Sequence, residues 1–166
     1  YAMWLFLDNG LYSDCEQLLK NLESEKNKNV SVGNELEAWL ACMQGEYKKA
    51  VPLYETLPGL EPVKEYSAAT IKSNNDSKER IYSYPALLNL GALYVANGKK
   101  IQAYALYEKG LSCTQNALIV AELYYRIARI QLAQGDCSKA IYNLQYCLKK
   151  NPAHNRARLL FKKLSK

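Results

Sequence analysis

Residues 87–107 read LLNLGALYVANGKKIQAYALY. Leu87, Leu90, Gly91 and Tyr94 recur at steps of three and four, which puts them on one face of a helix. Asn97-Gly98 then breaks the pattern, and a second run carries Ala103 and Tyr107 on its own face. Two helices joined by so short a turn need a residue that tolerates positive φ at the end of the first, and glycine does so at least cost. Their axes approach closely only where small side chains meet, which is the part expected of Gly91 and Ala103, with larger residues filling the space on either side.

The same punctuation appears four times. Gly10 is followed five residues later by Cys15, Gly45 by Ala50, Gly98 by Ala103 and Gly135 by Ala140, in GLYSDCEQLL, GEYKKAVPLY, GKKIQAYALY and GDCSKAIYNL. Upstream of Gly135 the helical slots hold Tyr124, Ile127, Ala128 and Gln131, and downstream Tyr54, Tyr107 and Leu144 each lie nine residues beyond their glycine. One hairpin cannot bury its apolar face alone, so copies stack on one another. The turn glycines are 35, 53 and 37 residues apart. The middle interval holds an insertion over 63–83, centred on the polar loop Ser73-Asn74-Asn75-Asp76-Ser77.

With Leu87, Leu90, Gly91, Tyr94, Ala103 and Tyr107 in place, the chain resembles the tetratricopeptide repeat family, whose period is about 34 residues. The family's closing proline is matched by Pro62 and Pro152, each seventeen residues after its turn glycine. The resemblance implies an all-α fold, a right-handed superhelical stack of antiparallel helix hairpins forming an α-solenoid. It divides one domain, 1–166, into a partial first repeat at 1–27, a second at 31–62, the insertion at 63–83, a third at 84–116, a fourth at 121–152 and a basic capping helix at 153–166. The second copy departs from the pattern: its small slot holds Ala38, but its larger slots read Asn34, Glu37 and Ala41. In the capping helix, Leu159, Leu160 and Leu164 are expected to form the apolar side, with the basic residues facing water.

The charge is local. The net charge is +6, yet seven basic residues and no acid fall between Lys149 and Lys166, leaving 15 basic against 16 acidic residues, or −1, elsewhere. A basic stripe for nucleic acid would run along a whole face, so contact with nucleic acid would be confined to this one helix. The five cysteines form no pair with zinc or redox spacing, and read as reduced, mostly buried thiols of an intracellular protein, cytoplasmic or nuclear. No apolar run is long enough to cross a bilayer. The apolar stretch Tyr1–Leu7 reads as the tail of a helix cut from a longer protein, whose exposed edge would favour a homodimer.

Chemistry finds little to use. The one histidine, His154, is expected on an exposed cap beside Pro152, Glu23 and Glu25 sit in a polar stretch, and the glycines fall singly and not in a phosphate-binding loop. No enzyme, cofactor or metal site is expected.

In stacked hairpins the first helix of each pair lines an inner groove. By register, the partner-binding residues are Glu35, Trp39, Leu88, Asn89, Ala92, Tyr125, Arg126 and Arg129. An apolar, aromatic groove with arginines at one end suits a protein or peptide ligand of apolar and acidic character. This is the expectation for an interaction scaffold within a multi-subunit assembly. Some family members bind the free carboxyl terminus of chaperones through two lysines, two asparagines and an arginine. Here Asn89 and Arg126 match, while Glu35, Trp39 and Glu122 stand where lysine, asparagine and lysine belong. Acids in those places repel a terminal carboxylate, which counts against a cochaperone-type receptor.

Overall fold

The structure, a computed structural model, describes residues 30–62 and 83–165 together with Gln17 and Ile81. The expectations for Tyr1–Leu7, Gly10, Cys15, Glu23, Glu25 and the body of the insertion lie outside the described residues. The chain divides into two compact units, Tyr1–Pro62 and Val63–Lys166. Every element among the described residues is a helix.

In the first unit α1 (Val30–Met43) and α2 (Tyr47–Glu55) form a hairpin. The second unit contains α3 (Tyr84–Ala96), α4 (Lys100–Cys113), α5 (Ala117–Leu132), α6 (Cys137–Lys150) and α7 (Asn155–Leu164), each packed on the next, with α3 also against α5. Local sequence sets the starts. The Ser83 hydroxyl caps α3 by accepting from the Ala86 amide, and Asn116 caps α5 by accepting from the Leu118 and Ile119 amides.

The three hairpin turns share one geometry. Gly45, Gly98 and Gly135 have φ of 81°, 75° and 84°. Just after them, the amides of Glu46, Lys99 and Asp136 donate to the carbonyls of Ala41, Tyr94 and Gln131 at 2.8, 2.8 and 2.9 Å. This closing bond, running back five residues, is the Schellman arrangement that glycine permits. From each turn the slots count out as the sequence implies. Seven residues before lie Ala38, Gly91 and Ala128, and five after lie Ala50, Ala103 and Ala140, all buried. Nine after lie Tyr54, Tyr107 and Leu144, each at 1% exposure or less, so every hairpin closes on the same three layers.

Gly91 does more than admit an alanine. A Cβ built there would lie 2.3 Å from Cε1 and 2.4 Å from Cζ of Tyr107, so the phenol ring of α4 occupies the space a side chain on α3 would need. The buried Tyr107 hydroxyl has no hydrogen-bond partner of normal geometry among the described residues. Burial pushes its phenol above the usual value, with the charge of Arg126 opposing the rise.

The atypical slots of the first unit have a physical account. The Asn34 amide donates to the Thr56 hydroxyl at 2.9 Å, and that hydroxyl donates to the Leu53 carbonyl at 2.7 Å. Glu37 pairs with Lys49 across the hairpin at 3.2 Å. Polar contacts therefore stand at the rim where other copies use apolar packing. Beneath them Leu36, Ala38, Leu40, Ala41, Ala50, Tyr54, Leu57 and Leu60 form the buried core.

Two expectations need correction. On α7 the packed side is Ala157, Leu160, Phe161 and Leu164, set against a cluster that includes Tyr125, Leu144 and Cys147, while Leu159 points outward at 71% exposure. Residues 157, 160, 161 and 164 follow the i, i+3, i+4, i+7 stripe, and Leu159 lies off it. The cysteines also divide: Cys147 is buried and Cys42 half-buried, but Cys113 and Cys137 are exposed, all four as free thiols. Burial, then the nearby Glu122 charge, pushes the Cys147 thiol up to about 11, so it is unreactive in place.

Candidate partner-binding site

On α5 the side chains of Glu122, Tyr125, Arg126 and Arg129 fall at steps of three and four and share a face. A cleft of about 790 Å³ lies between this helix and α7. Its walls are Tyr125, Arg129, Leu132 and Ala133 on one side and Arg156, Leu159, Leu160 and Lys163 on the other. Among the described residues, three cations and three leucines line it, and no acid does.

Tyr125 forms the floor. It is only 7% exposed, its ring centroid 4.8 Å from that of His154, with the guanidinium of Arg156 at 5.4 Å and that of Arg129 at 5.9 Å over the ring. Both guanidinia thereby stand against the Tyr125 ring, although that of Arg156 is shared with Glu122 at 3.4 Å. Among the described residues Arg129 and Lys163 have no ion-pair partner.

Arg126 behaves differently. Its Nε donates to Glu122 Oε1 at 2.7 Å, and the other carboxylate oxygen, Oε2, meets His154 Nε2 at 2.9 Å and an Arg156 nitrogen at 3.4 Å. His154 is not the exposed cap residue expected from its neighbours: its side chain is 8% exposed. Its Nδ1 accepts the Ala157 amide at 3.1 Å and so caps α7. A nitrogen that accepts carries no proton, so the proton sits on Nε2 and is donated to Glu122. The neutral ring satisfies both ends, tying the start of α7 to α5.

Burial alone would raise the Glu122 carboxyl. The hydrogen bonds from Arg126 and His154, with the charges of Arg126 and Arg156, outweigh it and hold the group below the usual 4.5. A carboxyl depressed on folding contributes stability that is fully present above its unfolded value and is lost as pH falls through its folded value. The second unit is therefore expected to lose stability as acidity increases below pH 4.5. Glu122→Gln, which cannot ionise, should flatten that fall in urea midpoints followed from about pH 6 to pH 3. An unchanged slope would mean that other carboxylates carry the acid sensitivity.

The remaining residues of the expected groove lie on other helices. Leu88, Asn89 and Ala92 are half-buried on α3, in the same unit as the cleft. Glu35 and Trp39 belong to α1 of the first unit, where Glu35 is 7% exposed and Trp39 half-buried, and both already make contacts. The α7 wall was missed, although the repeat carries its signal. One period of 34 beyond Glu122, Tyr125, Arg126 and Arg129 stand Arg156, Leu159, Leu160 and Lys163.

The cleft offers cations, an aromatic ring and apolar side chains. Among the described residues no group of His, Cys, Asp and Glu could hold a metal ion, and no helix is long and apolar enough to cross a membrane. No curated protein matches the chain. The family model for the tetratricopeptide repeat matches residues 122–154, so the match starts at Glu122 and stops at His154, the two side chains that hydrogen-bond to each other. The family is in general a non-catalytic fold for protein–protein interaction. Over residues 122–154 the chain thus matches a tetratricopeptide repeat, which supports its assignment to that family.

Proposed function

We propose that the second unit holds a partner protein by an acidic, leucine-rich segment laid in the cleft between α5 and α7. The supporting observation is the lining itself: Arg129, Arg156 and Lys163 beside Leu132, Leu159 and Leu160, with no acid among them. Leu159, exposed beside the half-buried Leu132 and Leu160 in a cationic cleft, favours a segment that brings both apolar anchors and carboxylates. Leu88, Asn89 and Ala92 of α3 would extend the contact along the same unit. An open cleft retains a ligand without enclosing it for reaction, which suits a scaffold inside a multi-subunit assembly. A chaperone carboxyl terminus fits less well, because Arg126, one of the two matching residues of that clamp, is paired with Glu122.

The test is a fluorescence anisotropy titration with two synthetic helical peptides. Both carry leucines on one face, and they differ only in bearing one glutamate or one lysine beside them. The acidic peptide is expected to bind and to weaken with added salt. Arg129→Glu with Lys163→Glu should cost it at least about tenfold, or ~1.4 kcal/mol. Equal binding of both peptides, or of neither, would overturn the reading.

A further inference from the structure

Glu122 presents an unusual arrangement for a face that is to receive carboxylates. Its side chain is 17% exposed and each oxygen is engaged, one by Arg126 and the other by His154 and Arg156. The cations and donors of this face therefore fall into two groups. Arg126 and His154 are turned toward an acid of the chain itself, whereas Arg129 and Lys163 lack such a partner among the described residues. Arg156 stands between them, 63% exposed, touching Glu122 at 3.4 Å and also lining the cleft.

We infer that Glu122 is a specificity-determining residue, an internal carboxylate occupying the place where a second acid of the ligand would otherwise bind. The inference rests on the cleft reading above and adds the number of acids accepted. Arg126 and Arg129 are three residues apart on α5, about one turn or 5 Å along the axis. Without Glu122, two carboxylates one turn apart on a ligand helix would meet Arg129 and Lys163 with the first, and Arg126, Arg156 and the His154 Nε2–H with the second. With Glu122 in place, a second ligand acid meets a site already satisfied, and bringing two carboxylates together is unfavourable. The cleft thus selects segments with one acid beside the leucines over segments with two.

The experiment uses the full chain and two peptides, the single-glutamate probe above and one with a second glutamate a turn away. Wild type should bind the two within about threefold of each other, whereas Glu122→Ala, which empties the place, should bind the double-acid peptide at least about tenfold tighter than the single-acid one. A site-resolved readout on wild type needs no variant to fold. The side-chain Nε–H resonance of Arg129 should shift on adding the double-acid peptide, and that of Arg126 should stay in place. Equal shifts at Arg126 and Arg129, or a Glu122→Ala protein that binds both peptides as wild type does, overturns the inference while leaving the cleft reading intact. If wild type binds neither peptide and Arg129 does not respond, the cleft reading fails and this inference with it.

Discussion

Replacing Gly91 by alanine is expected to destabilise the second unit by about 2–3 kcal/mol, the range of overpacking a filled core. The sign is what makes the test informative. In an ordinary helix interior the same change would stabilise by roughly 1 kcal/mol, because alanine is the better helix former. Here the new methyl would fall 2.3 Å from the Tyr107 ring, a distance that cannot be relieved by a small shift. The ring is itself 1% exposed and cannot swing into solvent without opening α4 from α3. Tyr107→Leu should lose stability alone but take back a large part of the Gly91→Ala loss when the two are combined, since the colliding atoms are gone. Urea denaturation of the four proteins gives the coupling directly. Additive losses would mean that the two helices are not held at the distance described.

Leu144→Ala should cost about 2–5 kcal/mol, as for a buried leucine whose surroundings cannot collapse into the space. Leu144 is 0% exposed, in the layer that Tyr54 and Tyr107 fill in the other hairpins, and packs in the cluster with Ala128, Ala140 and Cys147. Leu159→Ala is the paired control. At 71% exposure that side chain has little transfer energy to lose, and the change should fall within about 0.5 kcal/mol. On the binding reading, Leu159→Ala weakens capture of the acidic peptide while leaving the thermal midpoint unmoved. A stability loss at Leu159 comparable with that at Leu144 would place it in the core and remove it from the cleft wall.

The hairpins were legible because each slot carries its own chemistry. A turn needing positive φ leaves a glycine, and a close helix crossing leaves Ala38, Gly91 or Ala128 at a fixed count before it. The candidate site was only half legible. Tyr125, Arg126 and Arg129 follow from register on α5, but their roles do not, since one becomes a floor, one is neutralised and one stays available. His154 illustrates why: next to Pro152 and among basic residues it reads as surface, and only the fold brings Glu122 across 32 positions to meet it. Leu159 and Ala157 show the opposite case. The helical stripe through Ala157, Leu160, Phe161 and Leu164 was available in the sequence, but counting leucines put weight on bulk where spacing was the better guide. The polar slots Asn34 and Glu37 looked like failures of the pattern until their partners, Thr56 and Lys49, were in view.

His154 answers to two masters, the amide that opens α7 and the carboxylate on α5, and few other side chains can serve both at once. An aspartate or serine there could open the helix yet would fall short of Glu122, while a lysine or arginine could reach the carboxylate and leave the amide bare. Mutational drift at position 154 is thereby tied to position 122. Among descendants of this gene, loss of the imidazole should travel with replacement of the acid, so that the two columns change as a couple.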